Sequence, residues 1–288
     1  MGVLFGAIAS VAIGMSDLFN RRVAIQASVP TVALSLQVFA LVTAVTSLLL
    51  VDSVFAWRDL AIGGASGVAM ATALGAYYVG VTRSTATVVA PIVGVLSSVL
   101  PFTYTLATGA SAGPLAVAGA LIALVGLALI SLRGVSARGG AVQTDREEPR
   151  VENVGPGVLF GTLSGTGFGL ALILVLNAAD AAGTWPAVGE RVVAASLTFA
   201  AARVRGAAIV PPPGLRLTAM IGGLLAGCGT VFFIVAKSFD PVKAVIATST
   251  YPAIIVLVGY LSFGDQVTRR QLFGLACVLL GVAAVAGG

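Results

Sequence analysis

The sequence predicts an all-α integral membrane protein, with ten transmembrane helices arranged as two inverted five-helix repeats. Three observations carry this prediction: an extreme composition, long uncharged runs and an internal duplication. Apolar residues make up 58% of the 288 residues and charged residues only 9%, with a mean hydropathy of +1.05. Ordinary soluble domains carry about 25% charged residues. The composition therefore excludes a soluble globular protein.

The uncharged runs are long enough to cross a bilayer. Residues 23–51 and 84–132 contain no Asp, Glu, Lys or Arg, whereas about 20 apolar residues span the hydrocarbon core. Met1 leads directly into an apolar stretch without a basic region before it. This pattern predicts a first spanning helix rather than a cleaved signal peptide.

Charges, prolines and glycines divide the chain into ten candidate spans. They are 2–20, 31–51, 60–81, 85–107, 114–132, 156–177, 186–203, 216–236, 242–262 and 270–287. The only long hydrophilic segment, 134–155, follows the fifth span and predicts an exposed linker. The chain thus divides into a first repeat at 1–133, this linker and a second repeat at 156–288.

The duplication is visible without gaps when the chain is shifted by 155 residues. The pentapeptide GVLFG occurs at 2–6 and again at 157–161. Seven of the 13 glycines in 1–133 fall on glycines in 156–288, where about two are expected by chance. An odd number of spans in each copy makes the second copy enter the membrane from the opposite side, as in many secondary transporters.

The repeated pentapeptide also predicts a packing surface. Gly2, Gly6, Ser10 and Gly14 are spaced four apart, as are their equivalents Gly157, Gly161, Gly165 and Gly169. Residues four apart share one face of a helix. Small residues allow the close backbone approach on which helix association in lipid depends. Both stripes are therefore predicted to be contact faces.

Three stretches resemble one transporter family. They are GMSDLFNRR at 14–22, YYVGVTRSTATVVAPIVGVLSSVLPF at 77–102 and YPAIIVLVGYLSFGDQVTRRQLFGLACVLLGV at 251–282. The chain resembles the EamA-type members of the drug/metabolite transporter superfamily. The resemblance implies a ten-helix carrier built from two five-helix repeats that exports or exchanges small molecules.

Asp17 is the first candidate for substrate binding or coupling. It is the only acid in the first predicted helix, and ionisable groups inside a membrane are usually functional. It is predicted to bind a proton or a cationic substrate. The alternative is an interfacial ion pair with Arg21, one turn further along the helix.

Glu190 and Arg191 form a second candidate one turn inside the seventh helix. In the duplication Arg191 aligns with Leu36, next to Gln37. The family resemblance implies a substrate-facing anion site at this point. The alternative is that the arginine reaches along the helix to the nearby membrane surface.

The other candidates are of two kinds. The tyrosines and hydroxyl residues bring polar groups into apolar helices, and the prolines leave backbone carbonyls within a helix without a hydrogen-bond donor. The tyrosines are Tyr77, Tyr78, Tyr104 and Tyr251, the hydroxyl residues are Ser97, Ser98, Thr248 and Ser249, and the prolines are Pro91, Pro101 and Pro252. An aromatic belt at the membrane surface is the alternative for the tyrosines. Plain helix kinks are the alternative for the prolines.

These features favour a secondary active transporter that moves a small organic metabolite or drug by alternating access. The chain has no histidine, which excludes a Ser-His-Asp triad and a histidine-containing metal site. No cofactor or metal is expected. Nucleic acid is not expected either, because the basic residues lie between the apolar spans, where charged residues determine membrane topology. The expected partners are a small-molecule substrate, the lipid bilayer and a coupling proton, with the chain as a monomer or weak dimer. A membrane-embedded lipid-modifying enzyme is the alternative function.

The expected location is a bacterial-type plasma membrane. The loops after the odd-numbered spans hold 12 of the 16 Lys and Arg residues. Cytoplasmic loops carry an excess of these residues, so the charge distribution predicts both termini outside. The family resemblance instead implies both termini inside.

Overall fold

A computed structural model describes residues 1–84, 86–109, 113–131, 154–251, 253–254, 257 and 268–287. All regular secondary structure in these ranges is helical. The ten helices are α1 Gly2–Ala24, α2 Val29–Ser47, α3 Trp57–Arg83, α4 Ala86–Ala107, α5 Pro114–Ser131, α6 Val154–Leu176, α7 Trp185–Val204, α8 Arg216–Phe239, α9 Pro241–Thr248 and α10 Arg269–Gly287. The predicted linker lies almost wholly outside the described residues.

Six helices in the described part of the chain are long and apolar enough to cross a membrane: α1, α2, α3, α6, α8 and α10. Shorter apolar stretches, Ile92–Ala107 and Pro114–Ile130, lie in α4 and α5. The predicted all-helical, multi-pass membrane protein is confirmed at this level. Of the two remaining helices, α7 carries the charged pair Glu190 and Arg191 in its first half, and α9 has only eight residues.

Prolines and charged residues define several helix ends. Pro30, Pro186 and Pro241 lie in the first turns of α2, α7 and α9, where a missing N–H costs no hydrogen bond. The Asp240 side chain accepts a hydrogen bond from the Lys243 backbone N–H at 3.0 Å and so caps α9. Such local signals explain why most predicted helices begin and end within a few residues of the observed ones.

The ninth predicted span, 242–262, differs from the structure. Helix α9 ends at Thr248, and Ser249 and Thr250 form a turn before Tyr251. A proline at position 252 cannot donate a backbone hydrogen bond and clashes with the carbonyl four residues earlier. This steric conflict explains a break at Thr248. Residues 258–262 of the predicted span lie outside the described part.

The two halves of the chain interleave. The most extensive helix contacts join a helix of one half to a helix of the other: α1 with α8 and α9, α2 with α7 and α8, α3 with α6 and α7, α4 with α6, and α5 with α10. The largest apolar core likewise mixes both halves, including Phe102 and Val175 with Phe233 and Val285. The fold therefore depends on the association of the halves.

The two pentapeptide stripes lie in equivalent seams. A methyl group added at Gly6 would lie 2.7 Å from the Ala247 side chain in α9, and one at Gly161 would lie 3.2 Å from Ile92 in α4. Ala247 follows Ile92 by the same 155 residues that separate the two glycines. The prediction that these stripes are contact faces is confirmed.

Candidate functional site

Asp17 lies on the inward face of α1. Leu4, Ile8 and Val11 form an exposed apolar stripe on this helix, which marks its lipid-facing side. At about 100° per residue, Asp17 is rotated roughly 140° from that stripe. It nevertheless remains exposed, although its neighbours Ser16 and Leu18 are buried. Asp17 therefore faces the other helices rather than the lipid-facing side of α1.

Two tyrosines from other parts of the chain lie near this carboxylate, and a third tyrosine lies beside them. Asp17 is close enough to Tyr78 in α3 and to Tyr251 after α9 to interact electrostatically with both hydroxyls. Tyr77 and Tyr78 pack edge to face with ring centroids 5.6 Å apart. Tyr251 also lies close to Tyr77 and to the Ser97 side chain of α4. The structure thus brings together five of the predicted site residues.

One end of the bundle has a cavity whose lining includes Tyr78 but not Asp17. A cavity of about 240 Å³ is lined by Val29, Tyr78, Val79, Thr82, Arg83 and Arg205. Val29 begins α2, whereas Arg83 ends α3 and Arg205 follows α7. These positions lie at the same end of the molecule, here called the basic end. Tyr78 belongs both to the cavity wall and to the surroundings of Asp17.

The opposite end is closed by the segment that joins α6 to α7, residues 177–184. The Lys237 ammonium donates to Asp180 at 2.9 Å and to the Ala178 carbonyl at 2.8 Å. The Lys237 side chain is only 4% exposed, whereas that of Asp180 is 64% exposed. A buried ammonium without such partners would be costly. The ion pair therefore holds the α6–α7 segment against α8.

Further hydrogen bonds tie the same segment to the first half of the chain. The Ala179 N–H donates to Asp59 at 2.9 Å, and the Val54 N–H donates to the Ala181 carbonyl at 2.8 Å. The Tyr104 hydroxyl donates to the Asn177 side chain at 2.7 Å. Tyr104 therefore belongs to this closed end and not to the Asp17 cluster.

Glu190 and Arg191 are buried between α2, α3, α7 and α8. The Arg191 guanidinium donates to the Gln37 side chain at 2.7 Å and to the Thr230 hydroxyl, and it lies 3.2 Å from the Glu190 carboxylate. The other Glu190 oxygen accepts from Ser66 at 2.6 Å. The interpretation that Arg191 reaches the membrane surface is wrong, because its side chain is 5% exposed and is turned toward partners inside the bundle.

Both terminal nitrogens of this guanidinium have protein acceptors, whereas its buried Nε has no hydrogen-bond partner among the described residues. One Arg191 nitrogen donates to Gln37 and contacts the Met70 sulfur at 3.5 Å, and the other terminal nitrogen serves Thr230 and Glu190. Ser66, Met70 and Thr230 were not predicted as site residues. Isolated Ser, Thr and Met residues in apolar helices carry no sequence signal, because only the helix crossing brings them to the charged pair.

The remaining predicted residues have local roles. Ser98 donates to the Gly94 carbonyl of its own helix at 2.9 Å, and the Thr248 hydroxyl lies 3.5 Å from the Gly6 carbonyl in the α1–α9 seam. Ser249 is buried in the turn after α9. Pro101 is buried within α4, which also continues through Pro91. Pro252 lies outside the described residues.

Comparison with known proteins adds a family and a fold. Residues 155–287 match the model of the EamA-like transporter family. No curated protein matches the chain. A solved structure known only as "Crystal structure of protein" has a TM-score of 0.74 and 15% identity, over 99% of this chain and 98% of that one. At this identity the likeness shows the fold alone. The second half of the chain therefore carries the sequence pattern of the EamA-like transporter family, and the chain is a multi-pass integral membrane protein.

Proposed function

We propose that this protein is a secondary active transporter that moves a small organic solute by alternating access. Its ten helices act as spans of two inverted five-helix repeats. It works as an exporter or exchanger in a bacterial-type plasma membrane, as a monomer or weak dimer. The observation that carries this proposal is a cavity at the basic end, lined in part by Tyr78, while the Lys237–Asp180 ion pair holds residues 177–184 against α8 at the other end.

The glycine contacts support the inverted arrangement. The contact between Gly6 and Ala247 becomes the contact between Gly161 and Ile92 when each residue is exchanged for its equivalent 155 positions away. The α1–α8 pair exchanges in the same way with the α6–α3 pair, and both pairs pack extensively. A rotation that carries each half of the chain onto the other is two-fold. When its axis lies in the membrane plane, such a rotation places the two halves in opposite orientations across the membrane.

The ends of the cavity support alternating access. A carrier must expose its site to one side at a time, and inverted repeats do so by exchanging their conformations. The closed end carries the Lys237–Asp180 ion pair, whereas the equivalent positions at the basic end are Thr82 and Ile25. Closure of the two ends therefore rests on different contacts. This difference biases the resting state toward opening at the basic end.

Reconstitution tests the proposal directly. The purified full chain would be screened for solutes that raise its unfolding temperature, since ligands stabilise the folded state by mass action. Each such solute would then be tested for counterflow in proteoliposomes, with protein-free liposomes as the control. We expect at least one solute to exchange across the membrane only in the presence of the protein.

The enzyme alternative predicts a different product. Incubation of the protein with lipid vesicles and candidate head-group donors, followed by mass spectrometry, would reveal a modified lipid. A modified lipid without any solute exchange would overturn the transporter proposal. The EamA-like family match favours transport.

A further inference from the structure

We propose that the α2–α3 loop, residues 48–56, lies with Trp57 in the head-group region of the bilayer and holds the α6–α7 segment closed. The partner of this surface is the lipid itself. The inference names a means of regulating the closed end, and in that respect it rests on the proposed transporter function. It stands on exposed apolar side chains and on the contacts that join them to the α6–α7 segment.

The α2–α3 loop and the start of α3 expose large apolar side chains. Leu49 and Leu50 are 86% and 87% exposed, Val54 is 65% exposed and Trp57 is 76% exposed; these four residues are called the apolar patch. Loops in water are usually built from small and polar residues, as in the neighbouring segment 177–184, which reads NAADAAGT. Exposed apolar patches mark contact with a protein or a membrane. The composition of this loop therefore indicates an apolar partner.

Two lipid-facing stripes lead into the apolar patch. The exposed stripe of α2 continues past the last helical residue at the same spacing, through Val38, Val42, Val45 and Leu49. The exposed stripe of α3 begins within the patch, with Trp57, Ala61, Ala65 and Val68. Residues three and four apart share one face of a helix. Because both helices are long and apolar enough to cross a membrane, the patch continues their lipid surface, which favours lipid over a protein partner.

The length of α3 places Trp57 at the level of the lipid head groups. This helix has 27 residues, and at 1.5 Å per residue it is about 40 Å long. The hydrocarbon core is about 30 Å thick and the whole bilayer about 40–45 Å, so both ends of α3 extend beyond the core. Tryptophan is enriched at this depth, because its ring is apolar and its N–H is polar. The exposed charged side chains of Asp52 and Arg58 beside the patch suit the same polar region.

Hydrogen bonds join the α2–α3 loop to the α6–α7 segment. The Val54 N–H donates to the Ala181 carbonyl at 2.8 Å, and the Thr184 N–H donates to the Ser53 hydroxyl at 3.2 Å. These bonds lie between the apolar patch and the residues that close this end. The α6–α7 segment therefore moves away from the bundle only if these bonds break or the loop moves with it.

An aromatic contact continues the connection into α7. The Phe55 ring packs edge to face on Trp57 and on Trp185, with ring centroids 4.9 Å apart in each pair. Edge-to-face packing is a favourable arrangement of aromatic rings. Trp185 is the first residue of α7 and directly follows the α6–α7 segment. Lipid that holds Trp57 therefore also restrains the start of α7 through Phe55.

Fluorescence tests the contact with lipid. Trp57 and Trp185 are the only tryptophans of the chain, so Trp185→Phe leaves Trp57 as the sole emitter and Trp57→Phe leaves Trp185. Each full-length variant would be reconstituted in phosphatidylcholine vesicles with bromine either near the head group or near the chain end, and aqueous iodide would be the second quencher. We expect bromine near the head group to quench Trp57 at least about twofold more than bromine near the chain end. It should also quench Trp57 more than the less exposed Trp185.

Cysteine labelling tests the hold on the closed end. The readout is the rate at which a membrane-permeant maleimide labels Ala182→Cys in vesicles, in a background without the native cysteines. Leu50→Ser and Leu50→Asp weaken the contact of the loop with lipid, so labelling should become at least about threefold faster. Val42→Ser, in mid-span on the same stripe of α2, is the matched control and should label at the parent rate. Phe55→Leu keeps an apolar side chain but removes the ring contacts, so it should speed labelling without changing the quenching of Trp57.

The outcomes distinguish this inference from the transporter proposal. Quenching of Trp57 by iodide but not by brominated lipid would place the loop in water, and quenching by neither would show that protein covers the patch; either result overturns the inference. Labelling of both Leu50 variants at the rate of Val42→Ser would also overturn it. None of these readouts needs a solute, so counterflow by the parent chain would keep the transporter proposal in each case. The expected quenching and labelling without any counterflow would instead reject transport and keep the contact with lipid.

Discussion

Gly119 of α5 and Gly281 of α10 are in reciprocal backbone contact. A methyl group at Gly119 would lie 2.6 Å from the Gly281 carbonyl oxygen, and one at Gly281 would lie 2.5 Å from the Gly119 carbonyl oxygen. Gly126 and Gly274 repeat the relation further along, at 2.6 and 2.8 Å. The two helices therefore run antiparallel and touch through their backbones.

We expect Gly119→Ala and Gly281→Ala to destabilise the protein to a similar extent. Each added methyl group would force apart two backbones that cannot move independently, and overpacking costs about 1–3 kcal/mol. The measurement is the unfolding temperature in detergent. Gly75→Ala in α3 is the control, because no atom lies within 4 Å of the methyl group it would add. Equal stability of all three variants would contradict the close α5–α10 seam.

Because Glu190 and Arg191 form a buried ion pair, we expect substitutions of the two residues to change the free energy of unfolding non-additively. Arg191→Met leaves the Glu190 carboxylate buried without its counter-charge, and breaking a buried pair costs about 3–5 kcal/mol. The double variant with Glu190→Gln removes both charges, so we expect it to be more stable than Arg191→Met alone. A double-mutant cycle of unfolding free energies measures the coupling. Strict additivity would show that the two charges do not stabilise each other.

We expect the ion pair between Lys237 and Asp180 to control opening at the end of the bundle that residues 177–184 cover. Asp180→Asn should weaken the hold of residues 177–184 on α8 and increase opening at this end. The readout is maleimide labelling of Ala182→Cys, a position that is 2% exposed, after replacement of the native Cys228 and Cys277 by serine. Labelling should be faster with Asp180→Asn present.

Asp240→Asn is the matched control for the gate. It removes the charge that lies 4.0 Å from Lys243 near the same end, where both side chains are partly exposed. Exposed pairs contribute only about 0–1 kcal/mol, so labelling of Ala182→Cys should not change. If Asp180→Asn and Asp240→Asn label at the same rate as the parent, the Lys237 ion pair does not control opening.

The sequence predicts the helices better than the site, for a physical reason. Hydropathy and helix-end residues act locally, so α5 was expected at 114–132 and is observed at Pro114–Ser131. Repeated glycines also indicate where helices pack closely, because larger side chains do not fit where two helix backbones touch. The partners of Arg191 are different. Gln37, Ser66 and Thr230 are distant in sequence and ordinary in type, and only the crossing of their helices makes them a set.

The interleaved halves predict mutual dependence during folding. The described helices of the two halves place most of their contact surfaces against each other, so each half alone would expose its glycine seams to lipid. Expressed separately, each half should be degraded. Expressed together as two chains, they should assemble and co-purify, because the predicted linker is polar and supplies no apolar contact. Failure of the two co-expressed halves to assemble would show that residues 134–153 have a structural role.

Orientation is the last prediction, and it also tests the inverted repeat. The loops after the odd-numbered predicted spans, together with the helix ends beside them, hold 12 of the 16 Lys and Arg residues, and the cytoplasmic side carries such an excess. We therefore expect the C-terminus outside and the basic end of the cavity facing the cytoplasm. A fluorescent protein that folds only in the cytoplasm should not fluoresce (a dark fusion) when it is fused after Gly288. It should fluoresce (a bright fusion) when it is inserted into the predicted linker, between residues 137 and 150. A bright C-terminal fusion with a dark insertion would reverse the orientation and make the cavity open outward. Two bright or two dark fusions would place both points on one side, which an odd number of spans in the second half does not allow.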